Sequence, residues 1–247
     1  MQQVFVEDAA LSNNIVAITG SDAVHMNRVL RMKPGEKIRV STQSGVSMIC
    51  ELLILSDDEV LAQVTDAEVR QTELDGRIIL FQALPKGDRL ETVVEKAVEL
   101  GASDIYPVAM DHCVTKWEES KRAKKQQRFQ AIAQAAAMQS KRSRIPDFHE
   151  LVTFSQALEI AKRECDIRIL PYENARGMVA TKELLNTITK TSDVAIFIGP
   201  EGGFSEKEIE MAKDSCELIS LGERILRTDT AGIISVGMVM LAKEMRL

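Results

Sequence analysis

Hydrophobic and polar positions along this chain follow two different rhythms. Near the N-terminus, apolar residues gather in short runs at 4–6, 37–42, 46–55 and 59–64, separated by turn formers such as Pro34-Gly35 and Asp57-Asp58. Runs of that length between turn residues predict β-strands. A helix is predicted over 22–31, after Ser21 as a plausible cap, and it would set Arg28 and Arg31 on one face. After Asp75-Gly76 the rhythm changes: an apolar run at 77–84 precedes a stretch at 88–100 with Leu90, Val93, Val94 and Ala97 at helical spacing, closed by Gly101. The alternation continues through strands at 104–108, 166–170, 193–198 and 217–220, a long helix at about 118–139, and a final apolar helix. Strands that are apolar throughout and alternate with helices predict a parallel α/β sheet covered on both faces.

The length of 247 residues favours two domains over one, and the change of rhythm divides them at 1–73 and 74–247. A net charge of -6 means that any contact with a polyanion must be local. One stretch meets that condition, since residues 116–146 carry nine basic side chains against two acidic ones. On its helical part this is either a solvated face or a nucleic-acid contact. Beyond the helix, Lys141, Arg142 and Arg144 are better placed for phosphate, because the guanidinium fork binds it bidentately. Cys50, Cys113, Cys165 and Cys216 lie far apart without a CxxC pair, so neither a metal site nor a disulfide framework is expected. With no signal-like start and no apolar run near the roughly 18 residues that span a bilayer, a reduced cytoplasmic protein is expected. His112 and His149 have no partners in sequence and are read as structural, and His25 is a lone histidine in a predicted helix, a setting that is more often structural than functional.

Two segments carry candidate chemistry. Phe197-Ile198-Gly199-Pro200-Glu201-Gly202-Gly203-Phe204-Ser205 leaves an apolar strand and enters a helix for which Ser205 and Glu208 make a capping box. Glycines at the carboxyl end of a strand let backbone approach a ligand. The segment has neither a Walker loop nor a GxGxxG fingerprint, which argues against a nucleotide-dependent α/β enzyme. The second segment, 221–232, follows a short strand and precedes the last helix, with Thr228 or Asp229 as candidate cap. Taken locally, either segment could equally be a turn without a ligand.

IGPEGGFSEKEIE and LGERILRTDTAG, together with HMNRVLR, KPG, KGD and EKAVELG in that order, resemble the RsmE family of 16S ribosomal RNA uracil-N3 methyltransferases in the SPOUT superfamily. The resemblance implies a PUA-like RNA-binding domain at 1–73, and at 74–247 a SPOUT methyltransferase domain with a C-terminal trefoil knot. It also implies a homodimer, S-adenosylmethionine as cofactor, and 16S ribosomal RNA or the small ribosomal subunit as partner. Periodicity does not predict the knot, and the general rule against threaded chains runs the other way. Asp229 stands where the family commonly has glutamate, and Met138 and Lys141 stand where it has glutamate and glycine.

Carried over residue by residue, the resemblance gives Leu170, Gly199, Glu201, Gly202, Leu221, Gly222, Ile225, Leu226 and Thr230 as the cofactor site. It gives Arg28, Arg31, Lys86, Arg142 and Arg144 as RNA contacts. Uracil N3 carries a proton, so transfer to it needs a group that removes the proton or stabilises the anion left behind. Arg227 is the candidate stabiliser, Asp229 a candidate base or orienting partner, and Glu99 a reserve carboxylate. The alternatives are a SPOUT enzyme acting on transfer RNA or ribose 2'-oxygen, and a non-catalytic RNA-binding protein.

Overall fold

The computed structural model describes residues 1–66, 72–175 and 177–246. The chain folds into two compact units, Met1–Glu73 with Ala137–Ile145, and Leu74–Ala136 with Pro146–Leu247. The short 137–145 segment, expected with the second domain, thus groups with the first.

The first unit is a six-stranded sheet of β1 (Gln3–Val6), β2 (Leu11–Ser12), β3 (Ile15–Thr19), β4 (Lys37–Thr42), β5 (Ser47–Leu55) and β6 (Glu59–Asp66). Its spatial order is β1-β4-β5-β6-β3-β2, with β1 and β4 parallel and the other pairs antiparallel. Strands β2 and β3 are additional to the expected set. The period of two sends Ile38, Val40, Met48, Cys50 and Leu52 into an apolar core with Val16, Ile18 and Met26. The alternate positions Arg39, Ser41 and Ser47 are also buried, because Ser143 and Arg142 cover them. Ser47 Oγ donates to Ser143 Oγ at 3.1 Å, and Gln3 Nε2 to the Arg142 carbonyl at 2.7 Å.

Glu73 anchors this covering segment. Its carboxylate accepts from Arg142 Nη2 at 2.6 Å, from the Ser143 backbone N–H at 2.7 Å and from that of Arg144 at 3.2 Å. Arg142 is consequently only 5% exposed. The expectation that it contacts RNA is corrected, since its fork is taken up by an internal carboxylate. Arg144 stays exposed and lies across Gly45, where a Cβ would come within 2.6 Å of its Nε.

The expected helix at 22–31 is shorter and irregular. It is a single α-turn, α1 (Ser21–Val24), continued by a π-turn at His25–Val29, and Gly20 rather than Ser21 holds the cap position. Arg31 takes a left-handed φ of 52°. Arg28 and Arg31 therefore do not share a helical face, although both are exposed.

The second unit is a parallel sheet. Its strands are β7 (Ile78–Ala83), β8 (Asp104–Ala109), β9 (Asp147–Phe148), β10 (Val152–Thr153), β11 (Ile167–Pro171), β12 (Val194–Ile198) and β13 (Glu217–Ile219). They run in the order β10-β8-β7-β12-β11-β13, with β9 beside β8. Its helices are α2 (Arg89–Glu99), α3 (Glu119–Gln139, whose last turn belongs to the first unit), α4 (Phe154–Glu164), α5 (Val179–Thr187), α6 (Glu206–Ala212) and α7 (Thr228–Glu244). Central strands β7 and β12 are buried at every residue, as expected of runs that are apolar throughout in β12 and at all but Gln82 in β7. Phe81 stacks between Tyr106 and Phe197 on the neighbouring strands, at 4.9 and 4.7 Å. Helix α7 packs on β7, β12 and α2 through Gly232, Val236 and Val239. At its far end the buried Lys243 donates to the carbonyls of Lys190 and Ser192, at 2.9 and 2.6 Å.

The Glu73 anchor gives a direct test of the first unit. Glu73→Ala removes charge-assisted bonds to three successive residues, so the unfolding free energy should fall by about 1.5–3 kcal/mol. A chemical denaturation midpoint equal to that of the wild type would show that 142–144 is held by other means.

Candidate functional site

The carboxyl ends of β11, β12 and β13 lie side by side, and the loop leaving each contributes to one cavity of about 320 Å³. This is where ligands of open parallel sheets bind. The cavity is walled by 171–173 after β11, by Ile198 to Glu201 with Gly203 and Phe204 after β12, and by 220–228 after β13.

The loop after β12 is shaped by close approaches. At Gly199 a Cβ would sit 2.9 Å from the ring of Phe204, so glycine lets that ring fold back over the strand end. Gly203 adopts φ +71° and donates to the Pro200 carbonyl at 2.9 Å, which closes a tight turn. Gly202 turns away from the cavity, and its missing Cβ makes room for His112 at 3.0 Å. The Nδ1 atom of His112 lies 3.1 Å from the carbonyl oxygens of both Gly202 and Gly203. Neither oxygen can donate, so Nδ1 carries the proton and clamps the turn. Beyond it, Ser205 and Glu208 form the expected capping box, each side chain bonding the other's backbone N–H. Ser205 Oγ also donates to Asp111.

Glu201 joins this loop to the one after β7. Its Oε1 accepts from the Lys86 backbone N–H and from Arg89 Nη1, both at 3.0 Å. Burial works against the charge, but the backbone N–H bonds and the neighbouring Arg89 and Lys86 outweigh it and hold the carboxyl below its ordinary range.

The loop after β13 is fixed at its base. The buried Thr181 hydroxyl donates to the Ser220 carbonyl at 2.8 Å and accepts from the Ser220 N–H at 3.2 Å. Gly222 then turns at φ +107°. Ile225 is 89% exposed at the rim, an unusual position for an isoleucine with an apolar recess beside it. Arg227 precedes α7 as its cap residue, without a side-chain cap bond. The expected capping by Thr228 or Asp229 is not found: Thr228 is already the first helical residue, and its hydroxyl donates at 2.7 Å to the Gly199 carbonyl.

Of the residues expected to hold a cofactor, Gly199, Glu201, Leu221, Gly222, Ile225 and Leu226 line the cavity, as does Arg227. Leu170 is fully buried one residue before the lining Pro171. Gly202 and Thr230 lie off the lining, the first facing His112 and the second exposed on α7. Asp229 is also set back, with a buried Oδ1 that has no hydrogen-bond partner among the described residues. Glu99 is corrected. It ends α2 and accepts from Lys96 at 2.8 Å. A helix leading into the next parallel strand ends at the amino edge of the sheet, opposite the cavity. Lys86, Arg28, Arg31 and Arg144 are exposed, although Arg28 bonds Asp57.

Sequence reading missed Tyr172 and Glu173, which line the cavity, and Gln82 behind it. Gln82 left a signal, because it is the one polar residue in the apolar run of β7. Away from the cavity, at the amino end of β8, Asp104, Asp147 and His149 come within 4.8 Å of one another. There the His149 ring stacks on Tyr106 and its Nε2 lies 2.8 Å from Asp104.

Residues 72–240 match the model of an RNA methyltransferase domain, and residues 18–65 that of an RNA methyltransferase PUA domain. The ribosomal RNA small subunit methyltransferase E of Bacillus subtilis (strain 168) is 33% identical, over 93% of this chain and 91% of its own length. Two solved structures are similar over nearly their whole length. A putative methyltransferase from Legionella pneumophila, in complex with the cofactor S-adenosylmethionine, has a TM-score of 0.82 at 26% identity, covering 98% of this chain and 97% of its own. The small subunit methyltransferase E of Neisseria gonorrhoeae, bound to S-adenosylmethionine, has a TM-score of 0.81 at 26% identity, covering 96% and 95%. With a three-loop cavity at the carboxyl edge of a parallel sheet and both domain matches in place, this chain belongs to the RNA methyltransferase family that includes ribosomal RNA small subunit methyltransferase E.

Proposed function

We propose that this protein methylates N3 of a uridine in 16S ribosomal RNA, with S-adenosylmethionine as the methyl donor. The observation that carries the reading is the cavity of about 320 Å³ bounded by Gly199, Gly222 and Leu226, in a chain whose relatives are small-subunit methyltransferases and bind that cofactor. Its volume falls in the usual range for small-molecule sites, and it combines apolar walls with backbone groups that can read a ligand edge. Bound there, S-adenosylmethionine supplies an electrophilic methyl on a sulfonium. Leu226 and Ile225 cover an apolar ring face, while the backbone at Gly199 and Gly222 offers hydrogen-bonding groups at close approach. Arg227 is exposed at the rim, where its fixed charge stabilises the anion formed when uracil N3 gives its proton to solvent water. Asp229, set back from the wall, suits an orienting role better than direct proton removal.

We further infer that the first domain, at 1–73, is the RNA-holding PUA-like module, with Arg28 and Arg31 as phosphate contacts, joined by Arg144 from the 137–145 segment that groups with it. Lys86 would serve on the catalytic domain, 74–247. Family membership supports a C-terminal trefoil knot, a homodimer and a cytoplasmic setting. None of the described helices is long and apolar enough to cross a membrane. The homodimer reading is also supported by an apolar groove of about 690 Å³ between α5 and α7, lined by Met178, Val179, Leu185, Met238, Leu241 and Met245. Leu241 is 51% exposed there, so α7 has an apolar outer side as well as its buried one.

Calorimetry with S-adenosylmethionine tests the cofactor site. The wild type should bind, and Leu226→Ala should weaken binding roughly tenfold through lost apolar contact. A wild type that gives no heat at millimolar cofactor rules the reading out. For RNA, the double substitution Arg28→Ala with Arg31→Ala should lower affinity and reduce the slope of log affinity against log salt by about 2, with cofactor affinity unchanged. An unaltered slope would remove both arginines from the interface. For the dimer, light scattering should give twice the chain mass for the wild type and a monomer for Leu241→Glu, which is tolerated on a free surface but costly in an interface. A monomeric wild type at micromolar concentration refutes the homodimer.

A further inference from the structure

Strand β7 is buried at every position, yet its fifth residue is the polar Gln82, with 0% exposure. Gln82 pairs with Ile198 on β12, the residue just before Gly199. Its Nε2 donates to Thr228 Oγ1 at 2.9 Å and lies 3.3 Å from its neighbour's carbonyl, Ala83 O. That carbonyl fixes the amide's orientation, because the flipped form would set two oxygens against each other. Thr228 Oγ1 is therefore an acceptor from Gln82, and its one proton is directed to the Gly199 carbonyl 2.7 Å away. The three groups form a directed chain from the sheet interior, through the first residue of α7, to the first residue of the glycine loop.

The other side of the amide shows how closely this arrangement is held. Gln82 Oε1 is buried and has no hydrogen-bond partner among the described residues. A Cβ on Gly232 would lie 2.5 Å from it, so a larger residue at that turn of α7 would have to displace the amide from this position. An unpaired buried carbonyl opposes folding. A methionine of similar length would avoid that penalty, but it could not orient the threonine hydroxyl.

We propose that Gln82 and Thr228 are positioning residues that latch the loop after β12 to the loop after β13, and so set the width of the cofactor cavity. Thr228 and Gly199 both line that cavity, whereas Gln82 acts on it only through Thr228. The inference rests on the reading that this cavity takes S-adenosylmethionine.

Thr228→Val keeps the shape and removes the hydroxyl, Thr228→Ser keeps the hydroxyl, and Gln82→Met removes its orienting donor. Each variant is assayed as the full chain for S-adenosylmethionine affinity by calorimetry, for the separate KM values of cofactor and 16S RNA, and for its thermal midpoint. Thr228→Val should lose about tenfold in cofactor affinity, the upper end for one hydrogen bond, with the RNA KM unchanged. Thr228→Ser should stay within about threefold of the wild type, and Gln82→Met should fall between them. Full affinity in a folded Thr228→Val, or a serine variant no better than the valine one, overturns the latch. If Thr228→Val fails to fold, Gln82→Met decides by the same criterion, and wild-type cofactor affinity there overturns it. A wild type that binds no S-adenosylmethionine overturns the functional reading and the latch together, whereas a binding wild type with an equally binding Thr228→Val overturns the latch alone.

Discussion

Helix α7, whose first residue lines the cavity, seats against β7 by a close approach at Gly232. A Cβ there would lie 2.5 Å from Gln82 Oε1, so the glycine lets helix and amide pack without either shifting. The helix is also tied at both ends. Thr228 bonds the strand-end loop at one, and Lys243 donates to two carbonyls before β12 at the other. Gly76 is equally close to this second tie, since a Cβ there would come within 2.6 Å of Lys243 Nζ. With the helix fixed, the preceding loop, 220–227, has little choice but to lie across the carboxyl ends of β11 and β12.

Polar side chains recur as fasteners in both units. Glu73 gathers three successive donors from 142–144. Glu201 gathers a backbone N–H and a guanidinium, and the Thr181 hydroxyl bridges the N–H and carbonyl of Ser220. In each case a loop that a short apolar contact could not hold is fixed by directional bonds. Such bonds contribute modestly when made, but are costly to leave half-made, and this narrows the set of loop conformations more than it deepens overall stability.

Charge is distributed with the same restraint. The chain is net negative at -6, and several of its cations are engaged internally: Arg142 with Glu73, Arg77 with Asp193, and Arg89 with Glu201. Positive charge on the outer surface is thus smaller than the count of basic residues suggests. Arg31, Lys86 and Arg144 are among the cations that remain exposed. A polyanion would accordingly be recognised at chosen points rather than by a general field.

The sequence by itself determined the local elements, because the period of side-chain burial is written into short stretches. It marked the change from β runs to strand-helix alternation, the capping box at Ser205 and Glu208, the closure of α2 at Gly101, and the two glycine loops that wall the cavity. What it could not determine was which partner a charged side chain finds. The edge of the sheet that a helix end reaches followed only from the parallel topology, not from a residue's match to the family. Glu99 matched the family's text but ends at the amino edge, and Arg142 matched it but is folded inward onto Glu73. Arg28 and Arg31 had helical spacing, yet the π-turn and the left-handed Arg31 separate their faces. The link from Gln82 through Thr228 to Gly199 joins residues 146 and 29 positions apart in sequence. Only the tertiary structure decided these points, because they depend on strand order and on long-range pairing, and neither leaves a periodic trace in the chain.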